Sequence, residues 1–241
     1  MRTLVRVFLS LKTAFGLFCL FIVFSFIGSI MLPSHLSFFS GIDDTPLFRW
    51  LYSNGVIKLI WWIYAMILTL FFLAISTIFC TVETLLNRVS MRNLIIKLSP
   101  QIMHIGVLLI MLGHLLTASI GFKADILVKK AEIKEIMPGI GVYLENVSQI
   151  TDESGYTVDW DVVLWWVENG KKTRKDVLKP LRPLYYGSLG VFSKSVSLEP
   201  EPSALIRVIR DPGAVWALTG GILLCLGGVG FIYGTLTREL T

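Results

Sequence analysis

Four stretches of mostly apolar residues, near 13–32, 59–82, 101–121 and 214–235, constrain this chain more than any other feature. A helix of about 20 residues crosses a hydrocarbon core about 30 Å thick, and within it every backbone polar group is satisfied internally. The pattern excludes an ordinary soluble domain. It predicts three transmembrane helices (residues 1–121 with their flanks), an inserted domain over 122–211, and a fourth transmembrane helix within 212–241. Composition agrees: 54% of the 241 residues are hydrophobic and 16% are charged, outside the range of soluble globular domains.

Lys and Arg beside a span mark its cytoplasmic side. Arg2, Arg6 and Lys12 precede the first span, and Arg88, Arg92 and Lys97 lie between the second and third. Both termini are therefore expected in the cytoplasm, with the loop 33–58 and the inserted domain on the outer face, the periplasm of a bacterial inner membrane. The first span is too long for a signal-peptide core and no A-x-A-like site follows, so it reads as an uncleaved anchor. Trp61, Trp62 and Tyr64, at the outer end of span two, are expected at the headgroups. The segment "ETLLNRVSMRNLIIKLSP" reads as a cytoplasmic interfacial helix that Pro100 ends. The net charge of +5 reflects this loop bias and one basic hairpin, not a nucleic-acid surface. Cys19, Cys80 and Cys225 each fall in a span, with no CxxC, and read as small hydrophobes.

The inserted domain alternates with a period of two. In "YTVDWDVVLWW" Tyr156, Val158, Trp160, Val162, Leu164 and Trp166 share one apolar face. Asn169-Gly170 then signals a type I′ hairpin turn into "KKTRKDVL". "DILVKKAEIKEI", "GVYLENVSQI", "GVFSKSVSL" and "ALIRVIR" are further strand candidates, which predicts a small antiparallel sandwich or barrel. At the entry to span four, Asp211 can cap the helix with Pro212 at its first position. Gly220, Gly221, Gly227 and Gly228 are expected to form a smooth face for close helix approach.

Three histidines remain. His35 sits at the outer interface, whereas His104 and His114 lie inside span three, where an ionisable side chain is costly and marks a functional position by default. A helix-borne imidazole can serve as one axial ligand of haem iron; the alternative is an interfacial histidine hydrogen-bonded to a neighbour. Ten residues separate His104 from His114, about 15 Å along the axis and about 80° around it, so the two cannot share one iron. No second histidine lies at the depth of His104, so a bis-histidine haem requires a ligand from another chain.

Three spans, an outer β domain and a final span, in that order, resemble the ResB family, which acts with a CcsA-type (ResC-type) subunit in system II cytochrome c biogenesis. "HIGVLLIMLGHLLTASIGF", "LKPLRPLYYGSLGVFSKS" and "ALIRVIRDPGAVWALTGGILLCLG" are similar to the family's third span, its domain segment and its entry to the last span. The outer domain is short for the family, so the chain resembles a minimal member. The resemblance implies that His104 contributes an axial ligand to a transient haem b shared with the partner, and that haem is carried across the membrane for attachment to apocytochrome c. Arg92 and Lys97 are then candidates for the haem propionates, and His114 is a weaker haem candidate or the polar group of a quinone site. The chain itself is expected to be a non-catalytic subunit of the haem lyase complex. The competing expectation is a structural or assembly subunit of another membrane complex, with both histidines satisfied by helix contacts and no cofactor.

Overall fold

A computed structural model describes residues 7–87 and 94–239, without the side chains of 87, 94–97, 238 and 239. The apolar stretches form α1 (Leu11–Ser34), α4 (Ile57–Asn87), α5 (Leu94–Ile120) and α6 (Ala214–Glu239). All four contain a segment long and apolar enough to cross a membrane. The chain divides into two units. One holds these helices, and the other consists of residues 43–45 and 120–212.

In the helical unit α1 packs along α4, and the ring of Trp62 lies against Gly28 with no room for a Cβ. Between them the chain forms two short helices, α2 (Leu36–Phe39) and α3 (Leu47–Ser53). Phe39, Trp50, Leu51, Ile60, Trp62 and Ile63 bury one another there, with the Phe39 and Trp50 rings stacked at 5.8 Å. Trp62 therefore departs from the headgroup expectation. Its ring fills this cluster while its N–H donates to the Leu59 carbonyl at 2.9 Å, whereas Trp61 and Tyr64 stay exposed.

Pro100 does not end a helix either, because α5 runs through it from Leu94 to Ile120. A proline at this point forfeits one bond, to the carbonyl four residues earlier, which the rest of a 27-residue helix tolerates. Much of the interfacial segment expected before it lies outside the described residues.

Helices α5 and α6 meet along a seam of small residues. A Cβ added at Gly106 would stand 2.7 Å from the Gly220 carbonyl oxygen, and one at Gly113 would stand 2.7 Å from that of Gly213. One at Gly227 would stand 2.9 Å from the Ser99 carbonyl. The pairs 113 with 213, 106 with 220 and 99 with 227 descend and ascend in steps of seven, as an antiparallel pair with a 3.5-residue period requires. Gly221 and Gly228 have nothing within 4 Å of an added Cβ. They are not on the seam, because adjacent helical residues point about 100° apart. The start of α6 also differs from expectation. Ala217 N–H donates to the Gly213 carbonyl at 2.9 Å, so the helix begins at Ala214 and Pro212 precedes its first position.

The second unit contains two four-stranded antiparallel sheets, ordered β1-β8-β7-β6 and β2-β3-β4-β5. The strands are β1 (Phe122–Lys129), β2 (Ile133–Met137), β3 (Ile140–Thr151), β4 (Thr157–Glu168), β5 (Lys171–Leu178), β6 (Leu184–Tyr186), β7 (Leu189–Ser197) and β8 (Ser203–Arg210). Both sheets feed one core: Val142, Leu144, Val162, Leu164 and Trp166 from one, Val128, Val191, Ile206 and Val208 from the other. Asn169 and Gly170 both have positive φ, 49° and 80°, the backbone of a type I′ turn. The alternation of β4 holds from Trp160 to Trp166, but Tyr156 and Val158, 75% and 61% exposed, extend past the core at the hairpin tip.

Candidate functional site

His104 lies on α5 in the helical unit. Its Nδ1 is 3.4 Å from the hydroxyl oxygen of Thr81 on α4. Thr81 departs from the usual pattern of hydroxyls on these helices, as does Ser76, which donates to the Phe8 carbonyl at 2.6 Å. Buried or membrane-embedded Ser and Thr normally bond back to a carbonyl one turn earlier. Thr69 does so to Ala65 at 2.7 Å, and Thr77 to Leu73 at 2.8 Å. Thr81 makes no such bond among the described residues, and its oxygen faces the imidazole instead. His104 Nε2 has no hydrogen-bond partner among the described residues.

One turn before His104, Gln101 is 5% exposed and its Oε1 lacks a partner. On an ideal helix Gln101 and His104 are about 4.5 Å apart along the axis and about 60° apart around it. A buried acceptor without a donor costs about 1–3 kcal/mol, so its presence beside an ionisable group marks a polar locus inside an apolar bundle.

Among the described residues no group of three His, Cys, Asp or Glu side chains could hold a metal ion. A bare transition ion commonly needs three or four protein ligands. A single imidazole suits haem, whose iron arrives with four porphyrin nitrogens and needs only axial ligands. An imidazole with one nitrogen turned to a hydroxyl, the other without a partner, and an orphaned acceptor one turn away therefore fits that group.

The other sequence candidates do not join this locus. His114 is exposed, and it lies on a different face of α5. His35 is exposed, with Nδ1 3.3 Å from the Met31 carbonyl. Arg92 lies outside the described residues, and so does the side chain of Lys97. Thr81 and Gln101 were not singled out from sequence. Threonine in an apolar helix ordinarily satisfies itself, and Gln101 sits in the first turn after Pro100, where polar residues are common.

The tryptophans of the second unit serve its packing. Trp166 donates to Asp176 at 2.9 Å, Trp160 donates to Ser193 at 2.7 Å, and Trp165 donates to Glu145. Several charges on the sheet surfaces are paired, among them Asp125 with Arg207 and Lys194 and Glu145 with Lys175. Hydrogen bonds from Arg207 and Lys194 hold the Asp125 carboxyl well below the usual carboxylate range. Hydrogen bonds from Lys175 and then Trp165 lower that of Glu145. The hydrogen bond from Tyr186 to Glu168 raises the phenol.

No protein-family model matches the chain. No curated protein matches it either. A solved structure does resemble part of it. That protein is titled cytochrome c heme lyase CcmF, and the likeness has a TM-score of 0.48 at 15% identity over 70% of this chain. The matched part is 30% of that protein's length.

Proposed function

We propose that the chain is a haem-handling membrane subunit of cytochrome c maturation, of the ResB kind, with His104 supplying one axial ligand through Nε2. The observation that carries the reading is a membrane-helix imidazole whose Nδ1 meets Thr81 while Nε2 has no partner among the described residues. Such a nitrogen is a good iron ligand, and a hydrogen bond to the opposite ring nitrogen is the usual support for one. The ResB resemblance of the third span, the domain segment and the last span supports the same conclusion.

In this reading the bound species is haem b, held transiently as cargo, and its iron is the acceptor for the imidazole lone pair. The second axial ligand comes from a CcsA-type (ResC-type) partner, which also carries out attachment to apocytochrome c. The basic residues beside the spans support a cytoplasmic N-terminus and a cytoplasmic connection from α4 to α5. The paired sheets, read as a sandwich over 122–211, then lie in the periplasm of a bacterial inner membrane. Arg92 and Lys97 fall on the cytoplasmic side of His104, where cations can meet the propionates. Residues 1–121 and 212–241 supply the spans.

His104→Ala tests the reading. The variant complex should assemble, lose most of its b-type haem absorbance and fail in cytochrome c maturation, and added imidazole should partly restore both. Unchanged haem content and maturation would leave His104 a structural residue and favour a non-haem assembly subunit.

A further inference from the structure

We infer that Thr81 is the positioning residue of the His104 site: its hydroxyl engages Nδ1, fixes the orientation of the imidazole and so leaves Nε2 as the nitrogen that can reach iron. This rests on the haem reading above and adds a residue from a second helix.

The geometry departs from the default in two ways at once. Ser25, Thr69, Thr77, Ser119, Thr219 and Thr235 all donate to a carbonyl four residues back on their own helix. Thr81 instead spends its hydroxyl across the interface between α4 and α5. Thr81 is also only 7% exposed, so solvent water does not compete for its oxygen. An imidazole in that place has one partner for Nδ1 and therefore one favoured ring plane.

A hydroxyl differs from the carbonyl or carboxylate that often supports a metal-bound histidine. Those groups only accept, so they hold the proton on Nδ1 at all times and make the imidazole more basic. A hydroxyl both accepts and donates. With Nε2 engaged by iron, the ring carries its proton on Nδ1 and Thr81 accepts it. With Nε2 free, the ring can carry its proton on Nε2, and Thr81 donates to Nδ1. The ring stays neutral in both forms and holds one proton throughout, moved between its nitrogens by exchange. Thr81 thus supports a ligand that can let go, which suits cargo.

The test uses the full chain in lipid nanodiscs titrated with hemin, and ¹⁵N signals of the His104 ring recorded without hemin. Thr81→Val keeps the shape and removes the hydroxyl. It should weaken hemin binding about 10–100-fold, the usual effect of removing such a supporting group, and shift the ring signals of the hemin-free chain. Thr81→Ser should restore both. Thr77→Val, one turn away with its hydroxyl on its own helix, should change neither. Parent-like hemin affinity and parent-like ring signals in Thr81→Val would overturn the inference, as would an equal loss in Thr77→Val. Should Thr81→Val fail to accumulate, the parent chain decides: ring signals that show no hydrogen bond at Nδ1 would overturn the inference. Failure of the haem reading looks different, because His104→Ala would then bind hemin as the parent does.

Discussion

The seam between α5 and α6 and the core of the β unit are both buried, yet they are built on opposite terms. At the seam, Gly113 with Gly213, Gly106 with Gly220 and Ser99 with Gly227 bring two backbones together by having almost no side chain. In the β unit, Trp166, Leu164 and Val162 fill the space between two sheets with bulk. Between apolar helices in a bilayer there is little water to expel, so contact distance and weak Cα–H···O interactions are the available gain. Between sheets with charged outer faces, the gain is the apolar area removed from water, about 25 cal/mol per Å². One surface is damaged by adding atoms and the other by removing them.

The largest effect should come from adding atoms at the seam. In Gly220→Leu the new Cβ meets the Gly106 carbonyl at 2.5 Å, a backbone atom that cannot rotate away. The helices must separate, and the chain should be largely lost from the membrane fraction. Gly221→Leu, with open space around its Cβ, should accumulate like the parent. Similar abundance of the two variants would break the contrast. Next in size is removal of bulk from the β core. Trp166→Ala should cost about 3–5 kcal/mol, read as loss of near-ultraviolet circular dichroism of the full chain at lower denaturant. A cost below about 1 kcal/mol would mean that the sheets collapse onto the gap.

The smallest effect belongs to neither kind of packing. Asp125 is exposed and paired with Arg207 and Lys194, with contacts of 2.7 Å and 3.0 Å. Its folded-state carboxyl titrates below the unfolded value, so its contribution is complete above an unfolded pKa of about 3.9 and is lost as pH falls through the folded one. Asp125→Asn should therefore lower the unfolding midpoint slightly and equally from pH 7 to about pH 4, with the gap to the parent closing in stronger acid. A gap that opens as pH falls would reverse the sign and sink the argument.

Much of this contrast could be read in the sequence, though only one side of it fully. Period-two alternation and the Asn169-Gly170 turn located most strands, because both signals are local. Strand β6 was missed, since three residues between Pro183 and Gly187 are too few to show a period. Gly220 and Gly227 were recognised as close-approach positions, but Gly221 and Gly228 were grouped with them although they point away. The steps of seven in Ser99, Gly106 and Gly113, and in Gly213, Gly220 and Gly227, were the legible signal for which helix meets which. His104 stood out as an ionisable group in an apolar run. Its contact with Thr81 spans 23 residues of chain and depends on helix rotation, which no local pattern encodes. The burial of Trp62 is not legible locally, because the loop expected over 33–58 contains two short helices whose side chains enclose its ring.

The glycine seam also fixes an angle. His104 faces α4 from one side of α5, while Ser99, Gly106 and Gly113 face α6 from another. A side-chain tip about 5–6 Å from the helix axis moves by about 1 Å for every 10° of rotation, whereas the ligation proposed for His104 would tolerate a distance error of about 0.2 Å. A seam cushioned by long, flexible side chains could absorb such a rotation, but backbones in contact cannot. The glycines of α5 therefore act as a bearing with little angular play, and the aim of the imidazole depends on residues that have no chemistry of their own.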